Sequence, residues 1–165
     1  MKPLNAFIVS AFMLYSSLRL STSYARQLFS LTLHAPNEPV KTGSELSLTI
    51  TVTNTSDHNL SFGIAPGIAP DQTMSYNIEI RDTRGQEAPP TPFLRDLREH
   101  PTPTSGSVFG YTLTPGNSYR EQLAITRLYV LRSGKYTMQV ARSQEPRPNT
   151  AAIVKSNTIT ITVDG

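Results

Sequence analysis

Three histidines stand apart in this chain, at His34, His58 and His100, and there is no cysteine. A zinc site needs three or four nitrogen, sulfur or carboxylate ligands gathered at short spacings. No such cluster and no HExxH pattern occurs, so the histidines read as surface or turn residues. A serine hydrolase would carry its nucleophile in a G-x-S-x-G elbow. The chain offers only Ser105-Gly106-Ser107, in a proline-rich stretch that reads as loop. Asp96 and Glu99 lie beside Arg95 and Arg98, the pattern of a solvated helix face rather than of an acid–base pair. No glycine-rich phosphate loop is present, and the basic residues are not interleaved with aromatics as single-strand nucleic-acid binding requires. The expectation is no catalytic residue, no metal, no cofactor and no nucleic-acid partner.

Two stretches are suited to holding a protein partner. "GIAPGIAPDQT", 63–73, repeats Ile-Ala-Pro, and proline keeps it out of central strands. Ile64 and Ile68 therefore fall on a loop, where they either dock a partner or tuck beneath the fold as a lid. The second stretch, "GQEAPPTPFLRDLREHPTPTSGS" at 85–107, is proline-rich and carries Phe93 and Leu94. Thr91 caps a short helix there, Pro92 fits its first position, Leu94 and Leu97 share a side, and His100-Pro101 stops it. This stretch is expected to be an insertion between strands; a linker would leave two halves of about 60 residues with marginal cores.

The elements that must position these loops are strands. In "ELSLTITVTNTSD", Leu46, Leu48, Ile50 and Val52 alternate with Ser47, Thr49, Thr51 and Thr53, the period of a half-buried strand. Asn54 to Asp57 end it, since such side chains bond their own backbone in turns. Leu60-Phe62-Ile64 and Tyr76-Ile78-Ile80 alternate likewise, and the second run closes in a turn at Asp82–Gly85. Two strands flank Pro115-Gly116-Asn117, with Leu113 before the turn and Leu123 and Ile125 after it. Tyr136-Met138-Val140 and Ile159-Ile161-Val163 follow, and Phe29-Leu31-Leu33 precede. Seven or eight strands with turns every 8 to 15 residues or so are what a sandwich requires.

The first residues read as an export signal. Lys2 precedes an apolar run from Ala6 to Leu14, and Ser23-Tyr24-Ala25 supplies small residues at a cleavage site. The run is far short of the roughly 20 residues that span a membrane, so no stable insertion is expected, although an uncleaved anchor is the competing reading. The expected organisation is a signal peptide, 1–25, and one domain, 26–165. Loss of Lys2 and Arg19 leaves 13 basic against 12 acidic residues, close to neutral. Asn54-Thr55-Ser56 and Asn59-Leu60-Ser61 match the glycan acceptor pattern, here read as coincidence.

"RSGKYTMQVARS", 132–143, places Gly134 at the mouth of a strand and Tyr136 two residues on. In immunoglobulin-like sandwiches a tyrosine near the start of the penultimate strand sends its hydroxyl back to an upstream backbone group and locks a corner. Gly134 and Tyr136 fit that role; an ordinary core tyrosine is the alternative. "LTITVTNTSD", "LTPGNSYREQL", "SGKYTMQVAR" and "SNTITITV" resemble secreted bacterial immunoglobulin/fibronectin-III-like domains. Their order also resembles, more weakly, the bacterial intracellular proteinase inhibitor family. The resemblance spans roughly residues 44–163 and implies an all-β, immunoglobulin-like Greek-key sandwich with one proline-rich insertion. The expected function is an exported, periplasmic or extracellular, non-enzymatic binding or accessory module. A protein that presents an inhibitory loop to a protease is the alternative.

Overall fold

The computed structural model describes residues 27–64, 76–100, 109–144 and 152–165. The signal segment, Ile68, most of the 63–73 loop and the end of the 85–107 insertion lie outside the described residues.

The alternating segments form strands, and their apolar positions face inward. β1 (Phe29–His34) pairs antiparallel with β3 (Ser47–Asn54), which pairs antiparallel with β7 (Ser118–Ala124). A second sheet runs β2 (Val40–Lys41), β10 (Ile159–Asp164), β8 (Gly134–Ser143), β5 (Asn77–Asp82), with β9 (Ile153–Lys155) beside the end of β8. β4 (Leu60–Ile64) and β6 (Phe109–Leu113) make a separate antiparallel pair. Leu33, Leu48, Ile50, Val52, Leu123, Met138 and Val140 are almost fully buried in one hydrophobic core drawn from both large sheets. The molecule is an all-β sandwich. Among the described residues no helix is long and apolar enough to cross a membrane.

The described residues hold ten strands, where the pattern predicts seven or eight. The additions are β2 and β9, of two and three residues, too short to show a period. Ile125, expected on a strand, instead opens a four-residue helix, α2 (Ile125–Leu128), and is still fully buried. The insertion holds α1 (Pro92–Glu99) as its caps dictate. Thr91 Oγ1 accepts from the Leu94 N–H, proline stands at the first turn, and the His100 N–H closes on the Asp96 carbonyl.

Asn54 and Asn157 are among the side-chain amides that fasten strands together. The inward period of β3 runs Leu48, Ile50, Val52 and then Asn54, so an amide enters the core at 1% exposure. All its hydrogen-bonding capacity is met within the β3–β4 and β6–β7 connections. On the outer edge of β1, the Leu33 N–H donates to Asn157 Oδ1 at 2.8 Å, and Asn157 Nδ2 donates back to the Leu33 carbonyl at 3.0 Å. Asn157 thus mimics a neighbouring strand and joins the two sheets.

Candidate functional site

Each end of β8 carries a group of polar side chains. At its start lies a cleft of about 410 Å³ between the opening of the insertion, Gln86–Pro89, and the segment Val130–Tyr136. Both walls are fixed by local bonds. Asp82 Oδ1 accepts from the Arg84 and Gln86 N–H groups at 2.9 Å each, which shapes the turn ahead of the insertion. Those backbone donors, Gln86 first, hold the Asp82 carboxyl below its ordinary range. On the other wall the Arg132 N–H donates to the Tyr136 hydroxyl at 3.1 Å. Gly134 makes this possible with φ +148°, a conformation that side chains rarely adopt. The tyrosine hydroxyl therefore meets a backbone group four residues upstream, and that bond sets how Arg132, Ser133 and Lys135 are displayed on the cleft.

Removing this hydroxyl should cost stability and leave the strand intact. We expect Tyr136→Phe to destabilise by about 0.5–1.5 kcal/mol, because its partner is a backbone N–H at a partly buried site. Thr137→Ala, on the exposed face of β8, should cost less. Urea midpoints of the two variants decide it: equal and negligible shifts would remove the corner.

At the far end of β8 lies an interior polar cluster. The Tyr76 hydroxyl donates to Glu121 Oε1, while Arg142 Nη1 donates to the hydroxyls of Tyr76 at 3.3 Å and Tyr111 at 3.5 Å. The Arg142 guanidinium also sits 4.8 Å from the Phe62 ring centre and 5.3 Å from that of Tyr76. Phe62 stacks on Tyr111 and Tyr111 on Tyr119, at 5.1 and 4.1 Å. Glu121 is 9% exposed, and its Oε2 has no hydrogen-bond partner. Burial pushes the Glu121 carboxyl up, against the Tyr76 bond and the nearby Arg142, and pushes the Tyr111 hydroxyl up to about 12. Tyr76 is raised still further, by burial first and then by the Glu121 charge. Because Oε2 is closed off from solvent, this cluster has the character of a polar core rather than of an open site.

The residues singled out in the sequence fall in different places. Ile64 closes β4. Phe93 is 37% exposed, with the Arg127 guanidinium 4.4 Å above its ring. Leu94 is 6% exposed and belongs to the hydrophobic core, so it is withdrawn from any docking surface. Successive residues of a helix project about 100° apart, so the turn of α1 that leaves Phe93 outside carries Leu94 inward. Among the described residues no three histidine, cysteine or carboxylate side chains gather as metal ligands. The His58 and His100 rings meet Asp57 and Asp96, at 3.0 and 3.1 Å on the surface. The sequence reading missed Arg132 and Lys135 as cleft residues; its available signal was a cation on either side of the Ser133-Gly134 turn.

No family model matches the chain, and no curated protein matches it. Among solved structures it is similar to the C-terminal domain of wzt, at 12% identity and a TM-score of 0.51, over 85% of this chain and 75% of that one. It is also similar to a β-glucosidase from Listeria innocua in complex with glucose, at 12% identity and a TM-score of 0.41. That second match covers 86% of this chain but 17% of the enzyme's length. The wzt likeness bears on the fold alone, and the β-glucosidase likeness, at its lower score, carries no argument.

Proposed function

We propose that the chain is an exported, non-enzymatic binding module built on an immunoglobulin-like sandwich, and that its ligand occupies the cleft between Gln86–Pro89 and Val130–Tyr136. The observation that carries this reading is the cleft itself. At about 410 Å³ it falls in the range of about 300–1,000 Å³ typical of ligand sites. Its walls are held by the Asp82 turn and the Tyr136–Arg132 bond, so little ordering is lost when a ligand enters. The cleft also uses the insertion, in keeping with the tendency of loops on a rigid scaffold to carry function. The reading of export rests on Lys2, the Ala6–Leu14 run and Ser23-Tyr24-Ala25.

The test is capture from the source's own extracellular fraction by the immobilised protein, compared with Ser133→Trp. Ser133 is exposed and lines the cleft, so an indole there fills the space without entering the core. Wild type should retain a species that the variant loses, at an unchanged thermal midpoint. The same species retained by both proteins would remove the cleft as the site.

A further inference from the structure

Among the residues that line the cleft, the cations Arg84, Arg132 and Lys135 outnumber the carboxylates Asp82 and Glu87. Asp82 is engaged by two backbone N–H groups and by the Arg84 side chain, whose Nη2 lies 3.2 Å from Oδ2. Glu87 is engaged by Arg81 Nη2 at 3.1 Å. Arg132 and Lys135 line the same cleft, are exposed, and make no side-chain hydrogen bond or ion pair among the described residues. Ser133, between them in the chain, adds a hydroxyl to the lining.

Asp164 follows Val163, the β10 partner of Gly134, yet among the described residues it makes no ion pair with Arg132 or Lys135, so both cations are open to a bound anion. Arginine offers a planar fork that meets two oxygens of one oxyanion, and lysine a compact charge that meets a third. Val130, 42% exposed, and Pro89 lie on the same cleft and supply apolar contact for the remainder of a small molecule. We infer that the cleft recognises an oxyanion group, a carboxylate or a phosphate, on its ligand, held by Arg132 and Lys135. This rests on the reading of the cleft as the binding site, and it names the chemistry that the ligand must carry.

The experiment titrates the full chain with inorganic phosphate and, separately, with succinate, and follows backbone amides by NMR. The expected result is saturable shifts for at least one probe, confined to residues 86–88 and 130–136 and weakening as salt rises from about 0.02 to about 0.3 M. Which probe saturates separates a phosphate from a carboxylate ligand. The Arg132→Gln/Lys135→Gln double variant should bind about tenfold more weakly or worse. Val130→Glu, which adds a negative charge at an exposed position on the cleft, should weaken binding similarly, and Arg98→Gln on α1 should bind as wild type. No saturation by either probe, or equal saturation by the double variant, overturns the inference. If capture still depends on Ser133 while neither probe binds, the oxyanion fails and the binding cleft stands. If Ser133→Trp changes nothing in capture and the probes do not bind, both fail.

Discussion

Asn54→Ala should lower stability by about 3–5 kcal/mol, in the range reached when a buried hydrogen-bond network is broken. Asn54 Nδ2 donates to the carbonyls of His58 and Leu113, both at 2.8 Å, and Oδ1 accepts from the Ser56 N–H at 2.9 Å and its hydroxyl at 2.7 Å. The backbone of the same residue is tied to Asn117 and Gly116 at 3.0 Å each. Alanine would leave the Leu113 carbonyl and the Ser56 N–H without these partners in a buried corner. Aspartate restores the acceptors but turns a carboxylate toward two carbonyl oxygens, so Asn54→Asp should be no better. Thr55→Ala, exposed beside it, should cost less than about 0.5 kcal/mol. Urea unfolding of the three variants is the measurement; a loss under about 1 kcal/mol for Asn54→Ala would show that the corner does not depend on this amide. The same geometry closes the first glycan acceptor pattern in the folded protein, since both amide hydrogens of Asn54 are committed.

Stability should fall as pH rises from the ordinary carboxylate value of 4.5, and Glu121→Gln should flatten that slope. Burial raises the Glu121 carboxyl, so the folded protein holds a proton that the unfolded chain has released. The folded state is therefore favoured most below 4.5, and the advantage is lost as pH climbs through the raised folded value. Above it a charged oxygen, Oε2, stays buried without a partner. Glutamine keeps an acceptor for the Tyr76 hydroxyl and removes the charge. We expect the variant to match wild type near pH 4, where both side chains are neutral, and to exceed it at pH 8, where only the carboxyl has had to ionise in a buried site. Glu79 and Asp82, whose carboxyls are lowered, act in the opposite sense at acid pH, but they are unchanged in the variant and drop out of the difference. Parallel stability curves for the two proteins between pH 4 and 8 would remove Glu121 as the cause.

Much of the sandwich was legible because β3, β8 and β10 alternate over enough residues to show a period, and because Thr91-Pro92 marks a helix start by chemistry alone. Ile125 misled for the same reason it is buried. It continues the alternation of Leu123, and no period distinguishes a strand from a single helical turn that buries the same side chain. Glu121 also obeyed the alternation, in register with Tyr119 and Leu123, yet only tertiary packing brings Tyr76 and Arg142 to it. Arg132 and Lys135 were plain in the sequence as flanks of a turn. Their value as a pair depends on Asp82 and Glu87, some 45 to 53 residues upstream, having found other partners.

The clasp between Leu33 and Asn157 has a kinetic consequence. β1 and β3 are neighbours in the chain and can pair early, but the outer edge of β1 waits for an amide 124 residues away. Contacts this far apart in sequence slow folding, because the loop between them must close before any bond offsets its cost. At roughly 5–20 residues per second of synthesis, the edge stands unpaired for roughly 6–25 s on every new molecule. During that interval Phe29, Leu31 and Leu33 border an open strand edge, the surface most prone to join another chain. Until Asn157 arrives, the Leu33 N–H and carbonyl are open to pairing with another chain, and the clasp ends that exposure at this position.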